Sequence, residues 1–411
     1  MKKTLVFGIA LLVFFLTGTT LSADAKTKIT LWGLSDQKSF IDPILKDFQK
    51  ANPGIDTEFT PYSIDALKQS MKVAAASNTL PDLWFTWGGS LGSFYVENKM
   101  TADLTQVAKD HNWAAVYNKA ALGLCTYDGK LSGVPYHLQA LAMFYPKALL
   151  SKYNIKPPKT FAEFEASLKT LKAANVTPLA FAGKNGWHLM RLTEAVLEHY
   201  SGPALHDKLL GLKASWTDPA VVKTFDKIKE WSDAGYFSKG FIELDPQEIE
   251  TNFYSGGMAY NIEGPWWDGN MLTNGFDPAT QDFVPFPTDQ KPVRMSSFVE
   301  MFQVSSQSSP AQRDAAIKLA EFITGQETVG KYVDTYGAPA LANPPASAKS
   351  PHVTPILASV ANGNFLIGDQ ALPQEVVQKL FEATDKVVLN VWTSKQAAAS
   401  IQDAIDAYKK K

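Results

Sequence analysis

Cysteine is almost absent from this sequence: its 411 residues contain only one, Cys125. A single thiol cannot close an internal disulfide, so the chain must be held together by its own hydrophobic core. Hydrophobic residues make up 45% of the chain, which is enough for such a core, and the length allows two or three domains.

The sequence also lacks an excess of either charge, since 39 basic and 41 acidic side chains leave a formal net charge of −2. Nucleic acids and anionic membranes attract basic surfaces, and we therefore expect neither as a partner. The six histidines show no His-Glu-x-x-His or comparable ligand spacing. We accordingly expect no metal site. We expect no cofactor either.

The first 25 residues have the organisation of a secretory signal peptide. Lys2 and Lys3 form a basic start, residues 5–16 are apolar, and small residues lie two positions apart up to Ala25. We predict cleavage after Ala25 and export to the periplasm. No cysteine lies near this point, so a lipid anchor is not expected there. No uncharged apolar stretch of about 18 residues follows. We therefore do not expect an integral membrane protein.

Aromatic residues, by contrast, make up 12% of the chain and include 10 tryptophans. In residues 255–268 an apolar run ends in a Glu-Gly-Pro turn that is followed by Trp266 and Trp267. This pattern predicts a strand that leads into a loop. Flat aromatic side chains beside carboxylates suit a polyhydroxylated ligand such as a sugar. The alternative is that both tryptophans are core residues that cap a sheet.

The first part of the mature chain alternates strands with helices. Residues 28–32, 55–60 and 82–86 are predicted strands, which favours a mainly parallel sheet covered on both faces. Such sheets bind ligands at the carboxyl ends of their strands. The residues predicted at these ends are Asp36, Gln37, Trp87 and Gly88.

A second unit is predicted to begin after Tyr145, where prolines precede a helix whose Thr160 and Glu163 have capping-box spacing. A body of two lobes joined by several strands would hinge and close over a ligand. The predicted division is a signal peptide at 1–25, an N-terminal α/β lobe at 26–145, a mainly C-terminal lobe at 146–304, and helical segments crossing back between the lobes at 305–411.

Two further segments indicate a cleft. Residues 183–188, which end in Trp187 and His188, are predicted to form a loop at the end of a strand. Glu300 interrupts an apolar strand predicted over residues 298–304. A charge on a buried strand is costly unless it is paired, so Glu300 is either partnered inside the protein or faces a cleft.

Several motifs follow one another along the chain in a specific order. They are Pro81-Asp82-Leu83, residues 128–135, residues 153–161, residues 253–259 and residues 336–340. Together they resemble the extracellular solute-binding proteins of family 1, which are sugar-binding subunits of ABC importers and relatives of maltose-binding protein. The resemblance covers nearly the whole mature chain.

The resemblance implies an α/β fold of the two-lobed periplasmic-binding-protein (Venus-flytrap) type, with hinge crossovers and a helical C-terminal region. It also implies a function without catalysis. The protein would be a monomer that captures a mono- or oligosaccharide between its lobes and delivers it to the permease subunits of an ABC transporter.

The resemblance and the residue chemistry together predict a ligand site. Trp266 corresponds to the stacking tryptophan of the Asn-Gly-Pro-Trp motif in maltose-binding protein, whereas Glu263 replaces the asparagine and adds a carboxylate. The predicted ligand-binding residues are Asp36, Gln37, Trp87, Gly88, His137, Gln139, Trp187, His188, Glu263, Trp266, Trp267 and Glu300.

An exported glycosidase or lyase is the alternative function. Such an enzyme needs two carboxylates that flank the scissile bond, and Glu263 and Glu300 are the candidates. Cleavage of an oligosaccharide by the purified protein would distinguish it from a binding protein. A binder of amino acids, phosphate or polyamines is a third possibility, but it predicts fewer aromatic residues in loops.

Overall fold

The computed structural model describes residues 26–411, and the signal peptide predicted over residues 1–25 lies outside this part. No helix within it is long and apolar enough to cross a membrane. The strands are β1 (Thr27–Leu34), β2 (Ile55–Tyr62), β3 (Leu83–Trp87), β4 (Thr126–Tyr127), β5 (Lys130–Leu131), β6 (Val134–Ala140), β7 (Ala142–Pro146), β8 (Thr177–Leu179), β9 (Met258–Glu263), β10 (Gln281–Val284), β11 (Met295–Val304) and β12 (Asn364–Leu366).

The helices alternate with these strands in the first part of the described chain and dominate its last part. They are α1 (Lys38–Ala51), α2 (Ile64–Ser77), α3 (Gly89–Glu97), α4 (Thr105–Asp110), α5 (Trp113–Val116), α6 (Lys119–Leu124), α7 (Lys147–Lys152), α8 (Phe161–Ala173), α9 (Trp187–Leu210), α10 (Pro219–Asp233), α11 (Pro246–Tyr254), α12 (Trp266–Thr273), α13 (Pro310–Thr324), α14 (Gln326–Lys331), α15 (Val353–Ser359), α16 (Gly368–Ala371), α17 (Gln374–Val388) and α18 (Ser394–Tyr408).

Local sequence signals explain where several helices begin. The Thr160 hydroxyl accepts a hydrogen bond from the Glu163 backbone N–H, and the Glu163 carboxylate accepts one from the Thr160 N–H. This arrangement confirms the predicted capping box at the start of α8. Ser309 begins α13 in the same way.

A six-stranded sheet contains the first three predicted strands. Strands β2 and β3 lie on either side of β1 and run parallel to it, as the strand–helix alternation predicts. The longest strand, β11, pairs antiparallel with both β3 and β6. Its register sets Glu300 opposite Trp87 on one side and opposite His137 on the other. Residues that are far apart in sequence thus lie side by side on three neighbouring strands.

A smaller sheet has the strand order β10-β7-β9-β8. Strand β9 runs antiparallel to β7, with Ala142 opposite Glu263, and parallel to β8. Every residue of β9 is buried. Glu263 is the last residue of this strand, so it stands where the chain leaves the sheet.

The chain changes sheets at Leu141, because β6 belongs to the large sheet and β7 to the small one. The predicted boundary at Tyr145 thus lies inside β7. Similarly, β11 was assigned to the second lobe but pairs within the large sheet. Composition changes where strands give way to helices, whereas an exchange between two sheets inside one extended segment leaves no compositional mark.

Each sheet has its own hydrophobic core. Ile29, Trp84 and Val304 belong to the core of the large sheet, which helix α13 also joins through Leu319. The small sheet shares a core with α8, α9 and α10, and α17 and α18 join it. The helices at the end of the chain are therefore divided among these two cores and a third cluster, which includes Trp267 and Ile356 of α15.

Candidate functional site

A cleft of about 350 Å³ lies between the two sheets, which places it at the low end of the usual size of ligand pockets. Its walls come from both sheets and from helices packed on each. Nine of the twelve predicted ligand-binding residues line this cleft: Asp36, Gln37, Trp87, His137, Gln139, Trp187, Glu263, Trp266 and Glu300.

Trp266 forms part of the wall on the side of the small sheet. The residue stands in the first turn of α12, rather than in the predicted loop, and is half-buried. Its ring folds back over Gly264, so closely that a Cβ atom at Gly264 would lie 2.0 Å from a ring carbon. Only glycine leaves room for the ring in this position.

Arg191 is the residue around which this wall is built. Its guanidinium carbon lies 4.7 Å from the ring centroid of Trp187 and 5.2 Å from that of Trp266. Both distances are within the range of cation–π attraction. Since Arg191 holds two aromatic side chains at once, it fixes the spacing between them.

Glu263 contacts Arg191, Trp266 and His188 through its two carboxylate oxygens. One oxygen accepts hydrogen bonds from Arg191 at 2.7 Å and from the Trp266 indole at 3.1 Å, and the other lies 3.1 Å from His188 Nε2. Burial opposes ionisation of Glu263, but the positive charge of Arg191 and the contact with His188 together lower its pKa. We predicted that Glu263 accepts ligand hydroxyls. In the structure Glu263 lines the cleft, and each of its oxygens already has at least one protein partner.

His188 does not line the cleft, although it was predicted to. Its ring is buried behind Glu263, where Nδ1 accepts the Ala182 backbone N–H at 3.1 Å. Nε2 therefore carries the hydrogen and donates to Glu263 and to Asn261. The imidazole orients the carboxylate and leaves no ring nitrogen for a ligand.

Gly88 and Trp267 are also absent from the cleft lining. The Gly88 N–H donates to the Val299 carbonyl, and a Cβ atom at Gly88 would meet Val299 at 2.5 Å, so the glycine serves the approach of β3 to β11. Trp267 is 1% exposed and packs against Tyr254, while its indole donates to Gln281. For Trp267, the core alternative is the correct one. Consecutive helical residues point about 100° apart, so only one of the two tryptophans can face the cleft.

On the side of the large sheet, Glu300 is held by two donors. One of its oxygens lies 2.7 Å from His137 Nδ1 and accepts a hydrogen bond from the Gln139 amide at 3.1 Å. His137 Nε2 lies 2.7 Å from the Tyr336 carbonyl. Each ring nitrogen of His137 therefore faces an oxygen atom, one of Glu300 and one of Tyr336. Glu300 is therefore partnered inside the protein and also faces the cleft.

Two carboxyl groups in the cleft lining, those of Asp36 and Glu250, have raised pKa values. Desolvation by the cleft walls, followed by the negative charge of Glu300, raises the pKa of Asp36 to about 6, although this side chain remains accessible to solvent. Burial, followed by the charge of Glu263, raises the pKa of Glu250 to about 8. Glu250 accepts a hydrogen bond from the Tyr254 hydroxyl. The cleft thus holds a mixture of ionised and neutral carboxyl groups near pH 7.

Sequence reasoning missed several residues of the cleft. Lys68 extends from α2 to within 5.0 Å of the Trp87 ring centroid, and burial lowers its pKa. Asp369 comes from α16, and burial raises its pKa. Glu250 belongs to α11 and Arg191 to α9. These residues stand in ordinary helical segments, where no local motif distinguishes a cleft residue from a surface residue.

Polar atoms without partners indicate what the cleft can bind. Gln139 Oε1 and Asp369 Oδ1 line the cleft, are buried, and have no hydrogen-bond partner within residues 26–411. Buried acceptors without donors are rare in folded proteins because each costs about 1–3 kcal/mol. The cleft therefore suits a ligand that donates several hydrogen bonds and presents a face to tryptophan rings.

Comparisons with known proteins agree with this architecture. A family model described as bacterial extracellular solute-binding protein matches residues 44–359. An ABC transporter extracellular-binding protein of Pyrococcus horikoshii is 28% identical over 62% of this chain and 59% of its own length. A probable sugar-binding periplasmic protein of Mesorhizobium japonicum is 27% identical over 60% of each chain. The chain thus spans about three fifths of the length of these curated relatives.

A solved structure described as a chitin oligosaccharide binding protein superposes on 94% of this chain and 100% of its own, with a TM-score of 0.86 and 21% identity. Identity at this level establishes the fold alone, which is the predicted α/β fold of periplasmic binding proteins. The family model covers most of the chain. The chain therefore belongs to the family of bacterial extracellular solute-binding proteins.

Proposed function

We propose that this protein is the solute-binding subunit of an ABC importer and captures a carbohydrate between two lobes, each centred on one of the sheets. In this proposal residues 1–25 direct export to the periplasm and are removed near Ala25. The mature chain acts as a monomer and passes its ligand to the permease subunits of the transporter. Relatives described as sugar-binding support this assignment.

The observation that carries the proposal is the pairing of aromatic faces with acceptors that lack donors. A sugar ring has an apolar face of C–H groups and a rim of hydroxyls. Trp266 and Trp87 provide faces for the ring, and Gln139 Oε1 and Asp369 Oδ1 require donors. Hydroxyl groups would satisfy these oxygens, which a purely apolar ligand would leave unpaired.

The hydrolase alternative is not supported. The chain belongs to a family of solute-binding proteins and is not an enzyme. In addition, Glu263 is occupied by Arg191, His188 and Trp266, so it is not free to act as the acid or the nucleophile of a glycosidase.

A thermal-shift screen tests the proposal. A carbohydrate ligand at about one hundred times its dissociation constant stabilises the folded protein by about 2.7 kcal/mol, which is a clear rise in melting temperature. Small-angle scattering with the same sugar should show a smaller radius of gyration, because a ligand that contacts both sheets favours the closed form. A protein that neither gains stability nor compacts with any mono- or oligosaccharide would contradict the proposal.

Binding should also depend on pH through Asp36. An ionised carboxylate accepts hydrogen bonds more strongly than a neutral one, so a sugar that binds the ionised form loses affinity as pH falls through the pKa of about 6. We expect binding at about pH 5 to be weaker than at about pH 7 by up to about tenfold. Calorimetric titrations across this range measure the effect. In Asp36→Asn the step should vanish; an unchanged step would assign it to a group other than Asp36.

A further inference from the structure

A second cavity, of about 870 Å³, lies beside the cleft and is the larger of the two. One wall is formed by β3 and by helices α2 and α3, which pack on the large sheet. The opposite wall is formed by the start of α9 and by α17, which belong to the core of the small sheet. Like the cleft, this cavity lies between the parts of the protein that surround the two sheets.

The two cavities share a neck of four residues, namely Lys68, Trp87, Trp187 and Asp369. The Lys68 ammonium lies over the Trp87 ring at 5.0 Å, and the Trp187 ring carries Arg191 on the cleft side. Asp369 Oδ1 has no partner within the described chain. A ligand that fills the cleft therefore reaches aromatic faces and an unsatisfied acceptor as soon as it extends toward the second cavity.

Asp65 connects the two walls of the second cavity. Its carboxylate accepts a hydrogen bond from the Asn185 amide at 2.7 Å and lies 3.5 Å from the Trp187 indole nitrogen. Asp65 belongs to α2, whereas Asn185 precedes α9. The second cavity is thus bounded by a contact between the two parts of the protein, so a movement of one part relative to the other would change its shape.

The walls of the second cavity repeat the chemistry of the cleft. Phe94, which is 42% exposed, and Phe381, which is half-buried, both line this cavity. The Phe381 ring lies against Gly186, where a Cβ atom would meet it at 2.4 Å. Asp385 Oδ1 is buried and lacks a partner among residues 26–411. Aromatic faces again stand beside an acceptor that needs a donor.

We propose that the second cavity binds the distal units of an oligosaccharide whose first units occupy the cleft, so that the ligand is a chain of sugars rather than a monosaccharide. This inference rests on the proposed carbohydrate function. A single sugar fills only the cleft and leaves Phe94 and Phe381 in water. A linear oligosaccharide passes the neck and covers both rings, while its hydroxyls reach Asp369 and Asp385.

The test compares short and long ligands. Malto-, xylo- and chito-oligosaccharides of two and of six units are titrated calorimetrically into the wild type, Phe94→Ala and the double variant Phe94→Ala/Phe381→Ala. The series that binds should favour the hexasaccharide in the wild type. We expect the double variant to lose about tenfold in affinity for the hexasaccharide and none for the disaccharide. Val73→Ala is the matched control, since Val73 is an exposed apolar residue of α2 that lines neither cavity.

The possible results separate the second-cavity inference from the proposed function. Equal losses for both lengths, or no loss for either, would overturn the second-cavity inference while leaving carbohydrate binding in place. Failure of all sugars to bind the wild type would instead overturn the proposed function on which the inference rests. Melting temperatures show whether the double variant is folded. If it is not, the exposed Phe94 alone provides the comparison, with a smaller loss that is again confined to the hexasaccharide.

Discussion

Replacing Trp266 with alanine is expected to weaken carbohydrate binding about a hundredfold, or by about 2–3 kcal/mol, without unfolding the protein. The indole is half-buried at the cleft wall and is held by Arg191 on its face and by Glu263 at its nitrogen. The substitution therefore removes the plane beneath the sugar and only part of the core packing. Calorimetric titration with the sugar that gives the largest thermal shift measures the loss.

Trp267 provides the internal control, because its substitution should have the opposite pattern. Trp267 is 1% exposed and donates to Gln281. Trp267→Ala should lower the free energy of unfolding by about 3–5 kcal/mol, because it leaves a cavity and a buried acceptor without its donor. Trp266→Phe keeps a flat ring but loses the donor to Glu263, and its affinity should fall between those of the wild type and Trp266→Ala. Unchanged binding in Trp266→Ala would show that this indole has only a structural role.

Replacing Arg191 with methionine should lower the free energy of unfolding by about 3–5 kcal/mol. The Arg191 and Glu263 side chains are only 10% and 7% exposed. Removing the arginine leaves a buried carboxylate without its cation and releases Trp187 and Trp266 from the shared contact. We therefore expect sugar affinity to fall together with stability. Denaturant unfolding monitored by fluorescence measures the first effect, and calorimetry measures the second.

The double variant Arg191→Met/Glu263→Gln separates lost charge pairing from lost packing. Because glutamine needs no cation, this variant should recover much of the stability that Arg191→Met loses. Equal stabilities of the single and the double variant would show that the ion pair is not the cause.

The pH dependence of the free energy of unfolding has a defined sign. The pKa of Glu263 is lowered in the folded protein, so its contribution is present above the unfolded pKa of about 4.3 and is lost as pH falls through the folded value. Arg191→Met should lack this part of the acid dependence.

The regular elements of the fold were largely predictable because their signals are local. The parallel strands β1, β2 and β3 follow from alternating apolar patterns, and the capping box at Thr160 follows from residues three positions apart. The exchange between sheets at Leu141 was not predictable. The extended segment from β6 to β7 continues across it, and only its pairing partners change.

The candidate site was predictable in part. Nine of twelve predicted residues line the cleft, because strand ends and family motifs identify them. Two predicted aromatic loops are instead first turns of helices, α9 at Trp187 and α12 at Trp266. Neither helix has a side-chain cap, so the usual start signal is missing at both. Once Trp266 and Trp267 are helical, they must point in different directions.

The amino-acid sequence by itself determined the alternation of strands and helices, the capped starts of helices, and the family. It also indicated strand β9, which ends at the cleft. Only the tertiary structure decided that Trp266 faces the cleft while Trp267 enters the core, and that Arg191, 72 positions from Glu263, neutralises it. The tertiary structure also decided that Lys68 lines the cleft. The reason is physical: periodicity and capping depend on neighbours in the chain, whereas the partner of a buried charge depends on how two sheets meet in space.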